Sequence, residues 1–293
     1  MFHGSIVALV TPMTEHGQVD LDALQRLVDF HLDSGTDGIV IAGTTGESAT
    51  LSENEFRQVL TNVVGQVASG IPVLAGTGSA NTARAIARTQ LAAEAGADGA
   101  LVVTPYYNRP MQSGLLAHYN ALADATSIPL VMYNVPSRTA VDMLPETAAE
   151  LAGREEIVAI KEAVPVMSRI RSLTELCGDS LTVLSGDDPS CLDAMREGAK
   201  GVVSVAANIV PGLFRDMCGH VQDKNWSAAV EIDASLRHLY TLLALETNPI
   251  PVKWALHKMA LIGSGIRLPL LLLEKKYHET MANGLNQLGL TEI

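Results

Sequence analysis

The chain has 293 residues, 47% of them apolar, enough to bury a full core in one large barrel with an appendage or in two ordinary domains. Lys and Arg number 20 against 32 Asp and Glu, and the resulting net charge of −12 repels polyphosphate backbones and anionic membranes, so neither is expected as a partner. Three cysteines, Cys177, Cys191 and Cys218, form no CxxC pair and leave one over, which argues against a disulfide framework or a zinc site and fits a cytoplasmic protein.

From the start of the chain, MFHGSIVALVTPM lacks a basic n-region and its apolar run stops at Thr11-Pro12, so it does not read as a signal peptide. Short β-rich runs then recur at Ser5–Val10, Asp37–Ala42, Ile71–Ala75, Asp98–Thr104, Ile128–Tyr133, Glu156–Lys161, Leu181–Ser185 and Lys200–Val205. Helical periodicity fills the gaps. Asp20 to Ser34 puts Leu21, Leu24, Leu27, Val28 and His31 on one stripe, Ser52 and Glu55 form a capping box, and Asn81, Pro145 and Asp188-Pro189 open further helices. Eight strand-helix units in sequence, with strands apolar on both faces, predict a (β/α)8 TIM barrel. An open doubly wound sheet is the rival, but no GxGxxG follows the first strand.

Beyond Val205 the strand pattern ends. Residues 1–224 read as the catalytic barrel, closed by one short eighth helix, and residues 225–293 as a C-terminal helical extension with amphipathic stretches at Ala228–Leu245, Pro251–Ile262 and Leu270–Leu288. The apolar run Leu268–Leu273 is too short to span a membrane and reads as a core or interface helix.

Active sites of this barrel sit at the C-terminal ends of the strands. That rim collects Gly43-Thr44-Thr45-Gly46-Glu47-Ser48 after the second strand, Tyr106-Tyr107 after the fourth, and Tyr133 with Arg138 at and after the fifth. Lys161 ends the sixth strand, and Gly186-Asp187-Asp188 follow the seventh. A lysine delivered by the apolar run Ile157–Ile160 meets a desolvating environment that favours its neutral, nucleophilic form; the bland alternative is a surface lysine paired with Glu156 or Glu162. Small residues and hydroxyls in GTTGES suit a carboxylate. Tyr133 should approach Lys161 across neighbouring strands as a proton carrier, and Arg138 offers a fork for a second carboxylate. Asp187-Asp188 read as helix N-caps, and none of the eight histidines has ligand spacing, so no metal is expected.

GTTGES, TPYYNRP, YNVPSRT, AIKEA, LSGDD, GVVSV and NPIPVKW together resemble the dihydrodipicolinate synthase family of pyruvate-dependent class I aldolases, over nearly the whole chain. The resemblance implies that Lys161 forms a Schiff base with pyruvate and that Thr44 and Thr45 hold its carboxylate region. It implies that Tyr133 donates protons, linked through Thr44 to a Tyr107 supplied by a neighbouring subunit. Arg138 would hold the carboxylate of L-aspartate 4-semialdehyde, Gly186 would line the substrate site, and Val203, where relatives often have Ile, would pack against the pyruvate methyl. No cofactor is implied, and the assembly would be a homotetramer built as a dimer of dimers. Sibling pyruvate aldolases such as N-acetylneuraminate lyase and sugar-acid aldolases share the lysine and tyrosine, but Arg138 and the paired tyrosines favour a short acidic aldehyde; a non-catalytic pyruvate-binding barrel would not need the full set. Many members of the family bind L-lysine at the tight dimer interface, through polar groups at positions 53, 56 and 80 and an acid at 84. Glu53, Phe56, Ala80 and Arg84 depart from that pattern here, which implies weak or absent lysine inhibition.

Overall fold

The computed structural model describes residues 2–68 and 70–291. Eight strands form at the apolar runs, with only their ends displaced: β1 Gly4–Ala8, β2 Gly38–Ile41, β3 Val73–Gly76, β4 Gly99–Val103, β5 Leu130–Asn134, β6 Ile157–Glu162, β7 Thr182–Ser185 and β8 Gly201–Ser204. They pair in chain order, parallel, and β8 returns to β1 to close the barrel. The seam requires close backbone approach: a Cβ on Gly201 would lie 2.2 Å from the Gly4 carbonyl oxygen, so no side chain fits there.

Strand side chains alternate between two apolar layers. Ile6, Val40, Leu74, Leu101, Val131 and Val203 belong to the cluster inside the barrel. Val7, Ile39, Ile41, Met132 and Ile160 belong to the outer core shared with the helices. The helices start where the caps predict. Asp20 accepts from the Ala23 N–H at 2.9 Å, Ser52 and Glu55 form the reciprocal capping box, Asn81 accepts from the Arg84 N–H, and Pro145 opens the helix Pro145–Leu151.

Three expectations change. The run Leu268–Leu273 is not helical: Leu268, Leu271 and Leu272 are exposed in an irregular segment and only Leu273 is buried. Pro269 explains this, since it biases Leu268 away from helical backbone and has no N–H to donate. The stretch Leu270–Leu288 therefore becomes helical only from Lys275 on, as Lys275–Tyr277 and His278–Gln287. Of the two aspartates, Asp187 does cap, accepting from the Ser190 N–H at 3.2 Å. Asp188 instead accepts from the Val205 and Ala206 N–H groups at 3.1 and 2.8 Å, tying the loop after β7 to the loop after β8. The eighth barrel helix, Pro211–Gln222, has 12 residues, comparable with the 11 of Met167–Cys177, and is not shortened.

The helices Trp226–Leu243, Ile250–Lys258 and His278–Gln287 bury Leu236, Leu239, Leu256, Met281 and Leu285 in the same outer core as Phe214 and Met217 of the eighth barrel helix. Among the described residues, no helix is long and apolar enough to cross a membrane.

Candidate active site

Lys161 and Glu162 are neighbours in the chain, and the two-residue period of β6 sends them to opposite faces. Glu162 faces the helices, where its buried carboxylate accepts from Arg169 Nε at 2.8 Å, the Val164 N–H at 2.8 Å and Asn134 Nδ2 at 3.1 Å. Burial pushes that carboxyl up from the usual range while Arg169 pulls it back. Glu156 is paired with Arg154 at 3.1 Å. Lys161, only 5% exposed, points into the barrel mouth, and among the described residues it makes no ion pair, so the surface-pair alternative does not hold.

Tyr133 stands opposite Lys161 in the β5–β6 register. The Lys161 Nζ lies 4.4 Å from the Tyr133 ring centroid, over its electron-rich face. Gly186 leans on the other side of the lysine: a Cβ there would lie 2.9 Å from Lys161 Cε and 3.0 Å from both Lys161 Cγ and Ala163 Cβ. The glycine gives the long side chain its channel.

Above the lysine opens a cleft of ≈ 690 Å³ whose walls include Thr44, Thr45, Tyr133, Arg138, Lys161 and Gly186. The loop after β2 holds its shape through Glu47 N–H to Thr44 O at 3.1 Å, Ser48 N–H to Gly43 O at 3.2 Å and Thr11 Oγ1 to Gly46 O at 2.7 Å. Arg138 sits on the short helix Pro136–Thr139 at the mouth, exposed, its Nη2 3.5 Å from the Asn248 carbonyl oxygen and with no carboxylate partner among the described residues. An amine beside a phenol, hydroxyls on the facing wall and a free guanidinium at the mouth can hold a small keto acid and a second anion together.

Two expected residues do not line this cleft. Val203 is buried in the inner layer beside Ile6, and Val205 lines the wall instead. Tyr107 is 92% exposed, with φ +72°, and turns away from the cleft of its own chain; Tyr106 faces an adjoining recess of ≈ 1070 Å³ shared with Thr44, Glu47 and Arg88. Near that recess Arg84 is 3.4 Å from Glu53, and the Arg88 guanidinium stacks 4.2 Å from the Phe56 ring centroid.

Asn248 is a wall residue for which sequence reasoning found no role. Its Nδ2 donates to Thr45 Oγ1 at 3.0 Å. Only its place in NPIPVKW marked it, and a contact between positions 203 residues apart has no local periodicity to betray it.

The model of the dihydrodipicolinate synthetase family matches residues 1–288. The chain belongs to that family. Within it, the chain is 51% identical over 287 residues to the 4-hydroxy-tetrahydrodipicolinate synthase of Nitrosococcus oceani, covering 98% of each. It is 50% identical over 288 residues to that of a Shewanella species, again covering 98% of each. Among solved structures of the family, the chloride-inhibited dihydrodipicolinate synthase of Acinetobacter baumannii complexed with pyruvate superposes with TM-score 0.98 at 44% identity, covering 99% of this chain and 100% of that one. The enzyme of Cyanidioschyzon merolae with lysine bound superposes with TM-score 0.95 at 35% identity, covering 99% of each chain.

Filling the space beside the lysine should misplace its amine. Gly186→Ala is expected to slow borohydride trapping of a small 2-keto acid on Lys161 by about tenfold or more, with the circular dichroism spectrum unchanged. An unaltered trapping rate would mean that the side chain finds an equally reactive position.

Proposed function

We propose that this chain condenses pyruvate with L-aspartate 4-semialdehyde through a Schiff base on Lys161, giving 4-hydroxy-tetrahydrodipicolinate in the biosynthesis of diaminopimelate and lysine. The observation that carries this reading is the buried Lys161, without an ion-pair partner among the described residues and in register with Tyr133 at the floor of the cleft, in a chain half identical to synthases of that name. The residues 1–224 act as the catalytic barrel and 225–293 as its helical extension.

In this scheme the Lys161 amine adds to the ketone carbon of pyruvate, and loss of water gives an iminium. The electron-poor iminium acidifies the adjacent methyl, which loses a proton to give an enamine. The enamine carbon attacks the aldehyde, and the amine of the second substrate then attacks the iminium carbon, closing the ring and releasing the lysine. The protein amine is itself the electron sink, so the scheme needs no metal or cofactor. Tyr133 carries protons to and from these intermediates, relayed by Thr44 to Tyr107 of a second copy. Thr45 takes the pyruvate carboxylate, Gly186 keeps the lysine channel open, Val203 backs the methyl from beneath the cleft, and Arg138 takes the carboxylate of the semialdehyde.

The tyrosine relay makes assembly part of the reading. Tyr107, Met111, Leu268, Leu271 and Leu272 leave exposed apolar surface that suits contact with further copies. The proposed state is a cytoplasmic homotetramer, a dimer of dimers. Lysine is expected to inhibit weakly or not at all, because Arg84 already engages Glu53 and Arg88 covers Phe56, leaving a cationic wall where an ammonium group would need an acid.

Borohydride reduction in the presence of pyruvate should add to the peptide carrying Lys161 the mass of pyruvic acid less one water plus two hydrogens, and Lys161→Ala should abolish it; labelling elsewhere, or none, overturns the Schiff-base assignment. Arg138→Ala should raise KM for the semialdehyde by about ten- to a hundredfold and that for pyruvate little, as expected for losing a charge-assisted pair. Equal effects on both would move the arginine elsewhere in the mechanism. Mixed dimers of Tyr107→Phe and Lys161→Ala subunits should regain activity at the one site free of both changes, and failure in dimers shown to form would confine Tyr107 to its own subunit. Titration with lysine at saturating substrates should leave the initial rate near its starting value in the submillimolar range, and half-inhibition there would refute the reading of Arg84.

A further inference from the structure

The C-terminal extension reaches over the barrel rim at two points. The first is an ion pair: Lys253, on the helix Ile250–Lys258, bonds the Glu47 carboxylate, with the two side chains 4% and 1% exposed. The second oxygen of Glu47 accepts from the Arg267 N–H at 3.1 Å, and the Arg267 guanidinium bonds Thr50 O and Gly17 O, each at 2.7 Å, as well as Glu55. Glu47 itself sits at φ +55°, a left-handed backbone that a side chain of this size adopts only when its surroundings hold it. It lies in the loop that carries Thr44 and Thr45, so the geometry of that loop is fixed from the extension.

The second point is Asn248, whose Nδ2 donates to Thr45 Oγ1 at 3.0 Å while its backbone oxygen meets Arg138 Nη2 at 3.5 Å. A hydroxyl has one proton. With the Thr45 oxygen accepting from Asn248, that proton is left to donate into the cleft, and an ionised carboxylate is an acceptor only. Were the partner at position 248 an acceptor, Thr45 would spend its proton there and present lone pairs to the anion.

We propose that Asn248 and Lys253 are positioning residues of the active site, Lys253 latching the loop after β2 through Glu47 and Asn248 setting the Thr45 hydroxyl as a donor toward the carboxylate of the keto-acid substrate. The proposal rests on the condensation reading for the identity of that substrate. The latch itself does not.

The test uses the full chain and the variants Asn248→Asp, an acceptor of the same shape, and Lys253→Met, which removes the cation but keeps the stem. Active sites are counted by borohydride trapping, so that any loss of folded enzyme is removed from kcat. Asn248→Asp should raise the pyruvate KM by about tenfold or more, the loss of one charge-assisted hydrogen bond plus a new repulsion, with kcat per trapped site and the KM for the semialdehyde within about threefold of wild type. In Lys253→Met, amide hydrogen exchange across residues 43–51 should rise while the barrel strands keep their protection. A pyruvate KM within threefold of wild type in Asn248→Asp overturns the role of Asn248, and unchanged exchange across 43–51, or exchange that rises equally everywhere, overturns the latch. If the wild-type chain fails to trap pyruvate, the condensation reading falls, whereas the exchange measurement, which needs no substrate, still decides the latch.

Discussion

At the end of β6 two oppositely charged side chains, adjacent in sequence, are both withdrawn from water, and the strand geometry forbids them from meeting. Glu162 finds Arg169, Asn134 and a backbone N–H on the helical side; Lys161 finds the face of an aromatic ring and, among the described residues, no ion-pair partner. A register slip of one residue would exchange their environments, burying the carboxylate in the mouth and pairing the amine out of use. The bulge in the β5–β6 pairing between Leu130 and Val131 lies upstream of this point, so the pairs Tyr133 with Lys161 and Asn134 with Glu162 are in step when they reach the rim.

That single alternation organises what surrounds it. The phenol of Tyr133 is close because it shares the register, Gly186 is small because the lysine stem passes where a Cβ would be, and Asp188 stitches its own loop after β7 to the loop after β8 because its carboxylate accepts from the Val205 and Ala206 N–H groups there. Burial pushes the Asp188 carboxyl up, and the hydrogen bonds from Ala206, Ser204 and Val205 at the end of β8 draw it back down. The net charge of −12 says nothing of this site, where the mouth presents Arg138 without a carboxylate partner among the described residues and the adjoining recess presents Arg88. Local cations, rather than the overall balance, decide what the cleft attracts.

The buried Lys253–Glu47 pair illustrates a different use of charge. Two ions removed from water gain little net stability from one another, since desolvation offsets most of their attraction. What the pair supplies is a fixed contact between the extension and the loop after β2, one Glu47 oxygen on Lys253 and the other on the Arg267 N–H. Arg267 acts alongside, joining the extension to Glu55 and thereby holding that carboxyl at about 2, mainly through the hydrogen bond between them.

What the sequence determined by itself was whatever depends on near neighbours in the chain. The eight strands follow from apolar runs of the right length, the helix starts from Asp20, Ser52 and Asn81 capping groups within three residues of them, and the rim that carries the polar clusters from their position after the strands. Tyr133 and Lys161 were legible together because consecutive parallel strands must be neighbours. Tertiary structure decided the rest, for reasons of distance and competition. The run Leu268–Leu273 has the composition of a core helix, but Pro269 breaks the backbone and the surface of the extension leaves three of its leucines outside. Asp188 has the neighbours of a cap, yet the N–H groups of Val205 and Ala206 come closer once the barrel closes. Asn248, Lys253 and Arg267 act on a loop some 200 residues away, and the sequence carries no period or spacing from which such a contact can be read, because it exists only after the extension has packed across the rim.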